Sequence, residues 1–406
     1  MPVMDASNVE KAPRRLYMDN AATSFPKPPG VLEAMARYTE QVGASAGRGA
    51  YHEAIETGQL IAQCRRRLNR LFHGENPDHF IFTLNCTDGL NQAIKGLIGP
   101  ENRGHVVCTQ IDHNSILRPL GALEDRGWAT VTRVRIDPKT GMVDPDEIRR
   151  AIRPDTRLIC STHASNVTGT LQDIRAIGRM AREHEITYLV DAAQSAGHLP
   201  IDVQADFVDL LAAPGHKGLL GPLGTGILYI RPGIEKKLVP LKEGGTGSVS
   251  EQDRQPDFMP DRFESGSHNA IGIIGLSEGV QWVLDQTVAR LAAHDRELVA
   301  TFIEGVGDIV GLTYYGPQGV MNRVGVFSVR IEGLSPQELS AILELHYGIL
   351  TRPGLHCAPA AHQALGTMPL GGTTRFSFSP FLNMPDVQFA GDVLAEIAMS
   401  RAGATK

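Results

Sequence analysis

Lys217 lies in a glycine-rich stretch, AAPGHKGLLGPLGTG, that spans residues 212–226. A lysine in such a stretch is often a phosphate ligand, so a nucleotide site is the first chemistry to consider. The P-loop pattern needs a hydroxyl residue after its lysine, whereas Gly218 follows Lys217 here. The glycines also lack the G-x-G-x-x-G spacing of dinucleotide-binding turns, and a strand-like apolar run follows them. A nucleotide site is therefore disfavoured, and Lys217 needs another role.

Further polar side chains follow other apolar runs of the sequence. Asp191 comes directly after TYLV, and Asn166 follows RLICST. His113 follows HVVCTQI, and Cys86 and Thr87 follow HFIFTL. Side chains just beyond the carboxyl ends of parallel strands meet at one edge of a sheet, so we expect these residues to lie near the lysine. A buried carboxylate there needs a cation, which is either a structural Arg or Lys or the ring nitrogen of a ligand.

Pyridoxal phosphate needs this combination of groups. It requires a lysine for a Schiff base, an acid that keeps its pyridine nitrogen protonated, and donors for its phosphate. Lys217, Asp191 and the turn at 86–89, which opens a helix, supply them in outline. His113 would cover the ring and move protons, or it would be a hydrogen-bonded core histidine. The residues themselves thus point to a pyridoxal phosphate site.

The elements that must position these residues alternate between strands and helices. Short apolar runs are separated by helical patterns such as DIRAIGRMAREHE. This alternation is typical of a mostly parallel sheet covered by helices, so we predict an α/β core. The apolar runs are HFIFTL, HVVCTQ, TVTRVRI, RLICST, TYLVDAA, VDLLAA and GTGILYI.

The length of 406 residues predicts two domains, or one large domain with a smaller lobe. From about residue 267 the pattern changes to long helices with few strands, including the alternating RFSFS. We therefore predict a large α/β domain over 16–286. The predicted small α+β domain covers 287–406 together with 1–15.

Composition excludes several classes of function. Hydrophobic residues make up 42% and charged residues 21%, and the net charge of -6 gives no reason to expect nucleic acid as a partner. The N-terminus lacks an apolar signal region and no apolar run is long enough to cross a bilayer, so we expect a cytoplasmic protein without a membrane partner. The five cysteines form no C-x-x-C pair, which argues against a disulfide framework.

Eight stretches, in this order, resemble the class V aminotransferase superfamily and, within it, the cysteine desulfurases over nearly the whole chain. The resemblance implies a fold type I pyridoxal phosphate enzyme, with a mostly parallel seven-stranded sheet in its large domain and a smaller α+β domain. The stretches are YMDNAATSFPKPPGVLEAM, TDGLNQAIKGL, DHNSILRPL, THASNVTGTLQDI, YLVDAAQSAGHLPIDV, APGHKGLLGPLGTG, PDRFESGSHNAIGI and GLHCAP.

The resemblance also implies roles around the ring of pyridoxal 5′-phosphate. Lys217 would carry the cofactor, and Asp191 would pair with the pyridinium nitrogen. Gln194 and Asn166 would lie near the phenolic oxygen, and His113 would stack on the ring.

For the phosphate, the resemblance implies the backbone of Cys86 and Thr87, the Thr87 hydroxyl and His216. Ser267 would reach across from a second subunit, which implies a homodimer. Many relatives have a serine or threonine three residues before the lysine as a further phosphate donor. That position is Pro214 here, so one donor is missing or replaced.

On the substrate side, the resemblance implies Cys357 as a nucleophile on a loop of the small lobe. Arg352 and Arg375 would bind the substrate carboxylate, for which the planar fork of arginine is suited. Asn20 and Arg48 are further candidates for substrate contacts.

The implied reaction converts L-cysteine into L-alanine and leaves a persulfide on Cys357 for a possible sulfur-acceptor protein. Selenocysteine is the other candidate substrate. The alternatives are a selenocysteine lyase, another C–S lyase, or an aminotransferase that does not use Cys357. A non-catalytic sulfur-binding protein on the same fold is a third class. Cys357 itself has two other interpretations, namely a metal site with His356 and His362 or a buried inert thiol.

Overall fold

The computed structural model describes residues 15–47, 49–249 and 251–404, and it places thirteen strands and eleven α-helices in these ranges. The strands are β1 (Leu16–Tyr17), β2 (Phe80–Thr83), β3 (Gly104–Thr109), β4 (Ala129–Val134), β5 (Thr156–Thr162), β6 (Thr187–Asp191), β7 (Leu210–Pro214), β8 (Gly226–Ile230), β9 (Leu312–Tyr315), β10 (Val326–Ile331), β11 (Ile349–Leu350), β12 (Arg352–Gly354) and β13 (Thr373–Ser377). The helices are α1 (Pro29–Arg37), α2 (His52–Phe72), α3 (Cys86–Leu97), α4 (Asn114–Asp125), α5 (Pro145–Ala151), α6 (Ile174–Glu183), α7 (Ala270–Gln286), α8 (Val288–Val306), α9 (Pro336–Tyr347), α10 (Pro359–Ala364) and α11 (Met384–Ala404).

A central sheet of seven strands has the order β2-β8-β7-β6-β5-β3-β4. The five strands from β7 to β4 in this order pair in parallel, and β8 is antiparallel to both β7 and β2. The prediction of an α/β protein with a mostly parallel seven-stranded sheet is confirmed. This order brings the carboxyl ends of β3, β5, β6 and β7 to one edge of the sheet, where the predicted chemistry was expected.

Both faces of the sheet are buried under helices. Successive side chains of a strand point to opposite faces, so each strand contributes to two apolar clusters. In β6, Tyr188 and Val190 pack into one apolar cluster and Leu189 packs into another on the opposite face. Helices α2, α6 and α7 cover the first face, and α3 and α4 cover the second. The central residues of the inner strands are therefore largely apolar on both faces, as the sequence runs indicated.

A separate apolar cluster lies around a four-stranded sheet of order β12-β13-β10-β9. Helices α8, α9 and α11 contribute to it, and so do Leu16 and Met18 near the N-terminus. This N-terminal segment is held there because β1 pairs in parallel with β11. Segments near both described ends of the chain therefore belong to this cluster. The exact domain boundaries stay a prediction.

Burial separates the cysteines into two groups. Cys64, Cys86, Cys108 and Cys160 are buried, and Cys357 is exposed, all of them as free thiols. The exposure of Cys357 disagrees with its interpretation as a buried inert thiol. Along the described parts of the chain, no helix combines the length and the apolar character that a membrane span needs.

Candidate active site

A cavity opens at the carboxyl edge of the central sheet, formed by loops that follow β2, β3, β5, β6 and β7. Of the nine residues predicted to bind the cofactor, eight line this cavity and Ser267 does not. Residues that are up to 131 positions apart, from Cys86 to Lys217, therefore meet at one site. The full lining is Asn85, Cys86, Thr87, His113, Ser115, Thr162, Ala164, Asn166, Asp191, Ala193, Gln194, Pro214, His216 and Lys217.

One end of the cavity is the N-terminus of α3. Asn85 caps this helix, since its side-chain oxygen accepts the Asp88 N–H at 3.0 Å. The N–H groups of Cys86 and Thr87 have no hydrogen-bond partner among the described residues. Free N–H groups at a helix N-terminus, together with the positive end of the helix dipole, favour an anion. This end of the cavity suits a phosphate group.

The cap gives a testable prediction for Asn85. Asn85→Ala removes the acceptor of the Asp88 N–H, so we expect the free energy of unfolding to fall by about 1 kcal/mol. Asn85→Ser keeps a capping oxygen and should stay close to the wild type. Urea denaturation of the three proteins checks this, and an alanine variant as stable as the serine variant would contradict the capping role.

His216 adds a second group at the end of the cavity next to the N-terminus of α3, which we call the anion end. Its Nδ1 is buried without a hydrogen-bond partner in the described chain, which is an unusual state for a polar atom. Burial, followed by the charges of Lys217 and Lys27, lowers the pKa of His216 to about 4. The ring is therefore neutral at physiological pH and can donate or accept a hydrogen bond. His216 lines the cavity, so a ligand bound there would be a candidate partner for this atom.

The backbone at His216 is fixed from the N-terminal segment. Its carbonyl oxygen accepts the Ser24 N–H at 2.9 Å, the Lys27 ammonium at 2.9 Å and the Thr23 hydroxyl at 3.1 Å. These contacts hold the loop that presents Lys217. Pro214, at the end of β7, also lines the cavity and offers neither a side-chain hydroxyl nor an N–H at that point.

Asp191, the last residue of β6, lies deep in the cavity. Its Oδ1 accepts the Ala193 N–H at 2.9 Å and the Cys86 thiol at 3.6 Å. Burial raises the pKa of this carboxyl group, an effect that the two hydrogen bonds and Lys217 oppose. No Arg or Lys of the described chain forms an ion pair with Asp191, so the interpretation as a structural salt bridge finds no support. A protonated ring nitrogen of a ligand fits this carboxylate.

Lys217 follows β7 and is partly buried. Burial lowers the pKa of its ammonium group, and Arg375 and Arg352 lower it further, while Cys86 and Asp191 act in the opposite direction. A lowered pKa increases the share of neutral amine, the form that acts as nucleophile and base. The environment of Lys217 therefore favours covalent and proton-transfer chemistry.

His113 lies at the N-cap of α4. Its Nδ1 accepts the Ser115 N–H at 3.1 Å, so the ring proton is on Nε2. Burial, then the positive charges of Lys217 and Arg352, lowers the pKa of His113 to about 4. The ring is neutral and lines the cavity instead of packing into an apolar core.

Two amide side chains, those of Gln194 and Asn166, also line the cavity. Gln194 donates from Nε2 to the Ala21 carbonyl oxygen at 3.0 Å, and Asn166 donates from Nδ2 to the His356 carbonyl oxygen at 2.6 Å. Each amide has two protons and one carbonyl oxygen, so one hydrogen bond leaves capacity for a ligand. Asn166 also joins the cavity to the residue before Cys357.

Arg375, on β13, is 1% exposed. It donates to Asp19 at 2.7 Å and to the Asn166 carbonyl oxygen at 3.1 Å, and its Nε has no partner within the described residues. Burial lowers the pKa of Arg375, and Asp19 opposes this effect. A buried guanidinium with a free N–H can take a carboxylate. Arg375 is not among the residues that line the cavity, and its contact with the substrate stays a prediction.

Cys357 lies outside the cavity lining but is tied to it. The Asn114 N–H, next to His113 in the chain, donates to the Cys357 carbonyl oxygen at 3.0 Å. The Cys357 Sγ lies 3.8 Å from a guanidinium nitrogen of Arg352. Cys357 and His356 adopt φ values of 58° and 50°. Two successive left-handed residues without glycine are strained, which is a common feature of functional sites.

The remaining predicted residues are less closely connected to the cavity. Ser267 is exposed in a separate cleft beside Lys242, so a cofactor contact from it requires a second subunit and stays a prediction. Asn20 uses its amide internally, accepting the Phe25 N–H at 3.1 Å and donating to the Ser377 carbonyl oxygen at 3.1 Å. Arg48 lies outside the described residues.

The metal alternative for Cys357 finds no support. Within 15–47, 49–249 and 251–404, no group of three or more His, Cys, Asp or Glu side chains is placed to hold a metal ion. His356 instead contacts the Thr373 hydroxyl at 3.0 Å through Nε2, and His362 contacts the Thr367 hydroxyl at 2.7 Å through Nδ1.

Three site residues were not singled out from the sequence. Ser115 lines the cavity between Thr87 and His113, and Asp19 pairs with Arg375. Asn85 was detectable, because an Asn directly before a helical pattern is an N-cap signal. No local pattern marks Ser115 or Asp19, whose roles depend on contacts that only the folded chain makes.

Comparisons with known proteins point to one family. The family model described as "Aminotransferase class-V" matches residues 16–389. A probable cysteine desulfurase of Methanothermobacter thermautotrophicus is 36% identical over 94% of both chains, and a cysteine desulfurase of Escherichia coli O157:H7 is 30% identical over 84% of both chains. The apo structure of a cysteine desulfurase from Thermococcus onnurineus superposes with a TM-score of 0.89 and 30% identity, covering 95% of both chains.

Proposed function

Because the chain belongs to the class V aminotransferase family, among its cysteine desulfurases, we propose that it uses pyridoxal 5′-phosphate to convert L-cysteine into L-alanine, with transfer of the sulfur to Cys357. The observation that carries this proposal is the common cavity of Lys217, Asp191 and the free N-terminus of α3. The only exposed thiol among the described residues is tied beside that cavity.

The residues present fit the cofactor at each of its ends. The N–H groups of Cys86 and Thr87, with His216, would hold the phosphate, and Asp191 would keep the ring nitrogen protonated. Lys217 would form the covalent link. When bound, pyridoxal phosphate supplies an electron sink for the carbon from which a proton is removed.

Four side chains would handle the substrate before sulfur transfer. Arg375, assisted by Arg352, would bind the carboxylate of L-cysteine through guanidinium N–H groups, beginning with the free Nε of Arg375. The neutral amine of Lys217 would take the proton from Cα, which its lowered pKa favours. His113 would lie over the ring with its proton on Nε2, available at the substrate.

Cys357 would carry out the sulfur transfer. Its Sγ would attack the sulfur of L-cysteine as a thiolate, a bond between the two sulfurs would form, and the Cβ–S bond would break. The electron pair of that bond stays with Cβ, which takes a proton and becomes the methyl group of L-alanine. Lys217 would return to Cα the proton that it removed. The sulfur remains as a persulfide on Cys357, so the step needs no external oxidant. Arg352, 3.8 Å from Sγ, is placed to pair with either sulfur anion.

Mass spectrometry after a single turnover tests this proposal. We expect incubation with L-cysteine without reductant, followed by alkylation, to add the mass of one sulfur atom to the peptide that contains Cys357. In a second sample that is not alkylated, addition of a thiol reductant should release sulfide equal to the alanine formed. Alanine formation without added sulfur on Cys357, or sulfur on Cys86 instead, would contradict the assignment of the nucleophile.

The proposal also covers the oligomeric state, a sulfur-acceptor protein, the cellular location and a second substrate. A homodimer would bring Ser267 of one subunit to the cofactor phosphate of the other, which agrees with its exposure in a cleft outside its own cavity. A sulfur-acceptor protein would meet the exposed Cys357, and the enzyme would act in the cytoplasm. Selenocysteine is the second candidate substrate, because its carboxylate and amine are the same.

A further inference from the structure

Ser115 lies between Thr87, at the anion end of the cavity, and His113. Its Oγ is 2.8 Å from the Thr87 hydroxyl and 2.9 Å from Nδ1 of His113. Ser115 is 8% exposed and lines the cavity together with both neighbours. A continuous line of three polar atoms therefore joins the first turn of α3 to the imidazole.

The direction of these hydrogen bonds follows from the number of protons. A serine or threonine hydroxyl has one proton, and the Nδ1 of His113 has none because it accepts the Ser115 N–H at 3.1 Å. Nδ1 can therefore only accept from the Ser115 hydroxyl. The Ser115 oxygen then accepts the proton of Thr87. With the anion end empty, both hydroxyl protons point toward His113.

An anion bound at the N-terminus of α3 would reverse the direction of the hydrogen bond between Thr87 and Ser115. Thr87 is in the first turn of α3, beside the free N–H groups, so its hydroxyl proton would turn to a bound phosphate oxygen in a charge-assisted hydrogen bond. The Thr87 oxygen can then only accept, and its neighbour in the line is Ser115. The single proton of Ser115 turns from His113 to Thr87, and Nδ1 keeps only the backbone N–H.

We propose that Ser115 is a positioning residue that relays occupancy of the anion end of the cavity to the imidazole of His113. This inference rests on the proposed function, since it takes the N-terminus of α3 as the phosphate site. Loss of one donor to Nδ1 leaves more electron density on the imidazole, so the Nε2–H of His113 becomes a weaker acid when phosphate is bound. Proton transfer by His113 would thereby be linked to loading of the cofactor.

Nitrogen NMR of the apoenzyme with inorganic phosphate as the probe tests the relay. With ¹⁵N-labelled histidine, the His113 signals are assigned by their loss in His113→Gln. We expect saturating phosphate to move the Nδ1 resonance in the wild type. In Ser115→Ala the resonance should already lie displaced toward the phosphate-bound position, and phosphate should move it by less than half as much. The movement that remains in Ser115→Ala comes from the charge of the phosphate.

Two further variants keep the test decisive. Ser115→Thr retains a hydroxyl and should restore the wild-type movement, whereas a merely structural role of Ser115 would not require the hydroxyl. If Ser115→Ala does not fold, Ser115→Cys keeps the volume with a weaker donor and should reduce the movement.

The possible outcomes separate the relay from the proposed function. Equal movement in Ser115→Ala and the wild type would overturn the relay and leave the phosphate site intact. Absence of phosphate binding to the wild type, followed by ³¹P NMR, would count against the phosphate site itself, and the relay would fall with it.

Discussion

Cys357→Ala is expected to reduce the formation of alanine from L-cysteine by about 10³-fold or more, because the variant lacks the thiolate that attacks the substrate sulfur. The visible absorption of the bound cofactor should be unchanged, since Cys357 does not line the cavity that holds Lys217 and Asp191. The measurement is alanine release with a thiol reductant present, together with a visible spectrum of each protein.

Cys357→Ser separates the chemistry from the shape of the loop. Serine preserves the side-chain volume and the carbonyl contact with the Asn114 N–H, yet its hydroxyl is not ionised at physiological pH. We expect the serine variant to be as inactive as the alanine variant. Met368→Ala, a change at an exposed position on the same lobe, is the control and should retain activity.

Selenocysteine as a second substrate distinguishes the remaining alternatives. Loss of selenide from the substrate can proceed without a protein nucleophile, so an enzyme that does not depend on Cys357 would keep this activity in Cys357→Ala. A variant that turns over L-cysteine as fast as the wild type would assign the protein to the lyases or aminotransferases. It would also leave the strained backbone at Cys357 without a catalytic reason.

The central part of the site was predictable because it depends on regular elements. Asp191 and Lys217 follow apolar runs that form the neighbouring parallel strands β6 and β7, so their meeting follows from strand order and the rule that strand ends share an edge. The helix N-terminus at Cys86 was detectable in the same way. The role of Cys357 came from resemblance, since the spacing of a lone cysteine carries no information on its surroundings.

Other features depend on contacts between distant segments. Asp19 and Arg375 are 356 positions apart and meet because the N-terminal segment runs beside β13. The left-handed backbone at His356 and Cys357 is contrary to local preference, so the sequence gives no sign of it. The amide of Asn20 holds the same N-terminal segment, and the predicted contact of Asn20 with the substrate stays a prediction. In these cases the packing of the two lobes, and not local pattern, decides the role of the residue.

Lys217→Ala, like Cys357→Ala, is expected to reduce the formation of alanine from L-cysteine by about 10³-fold or more. The variant lacks both the covalent attachment of the cofactor and the base at Cα. Its distinguishing result concerns retention of the cofactor. After reduction with borohydride and denaturation, the wild type should keep the cofactor on the peptide that contains Lys217, and the variant should keep none. Lys236→Ala, at an exposed lysine, controls for labelling of the surface.

Lys217→Arg then separates charge from chemistry. Arginine retains a positive charge near Asp191 but cannot form the link or give up its proton at physiological pH. Equal loss in the alanine and arginine variants would show that the neutral amine is required, in agreement with the burial that lowers the pKa of Lys217. Substantial activity in Lys217→Arg would mean that this position supplies charge alone. The nucleophilic and basic roles would then have to be sought elsewhere in the cavity, which His113 and His216 also line as neutral nitrogen bases.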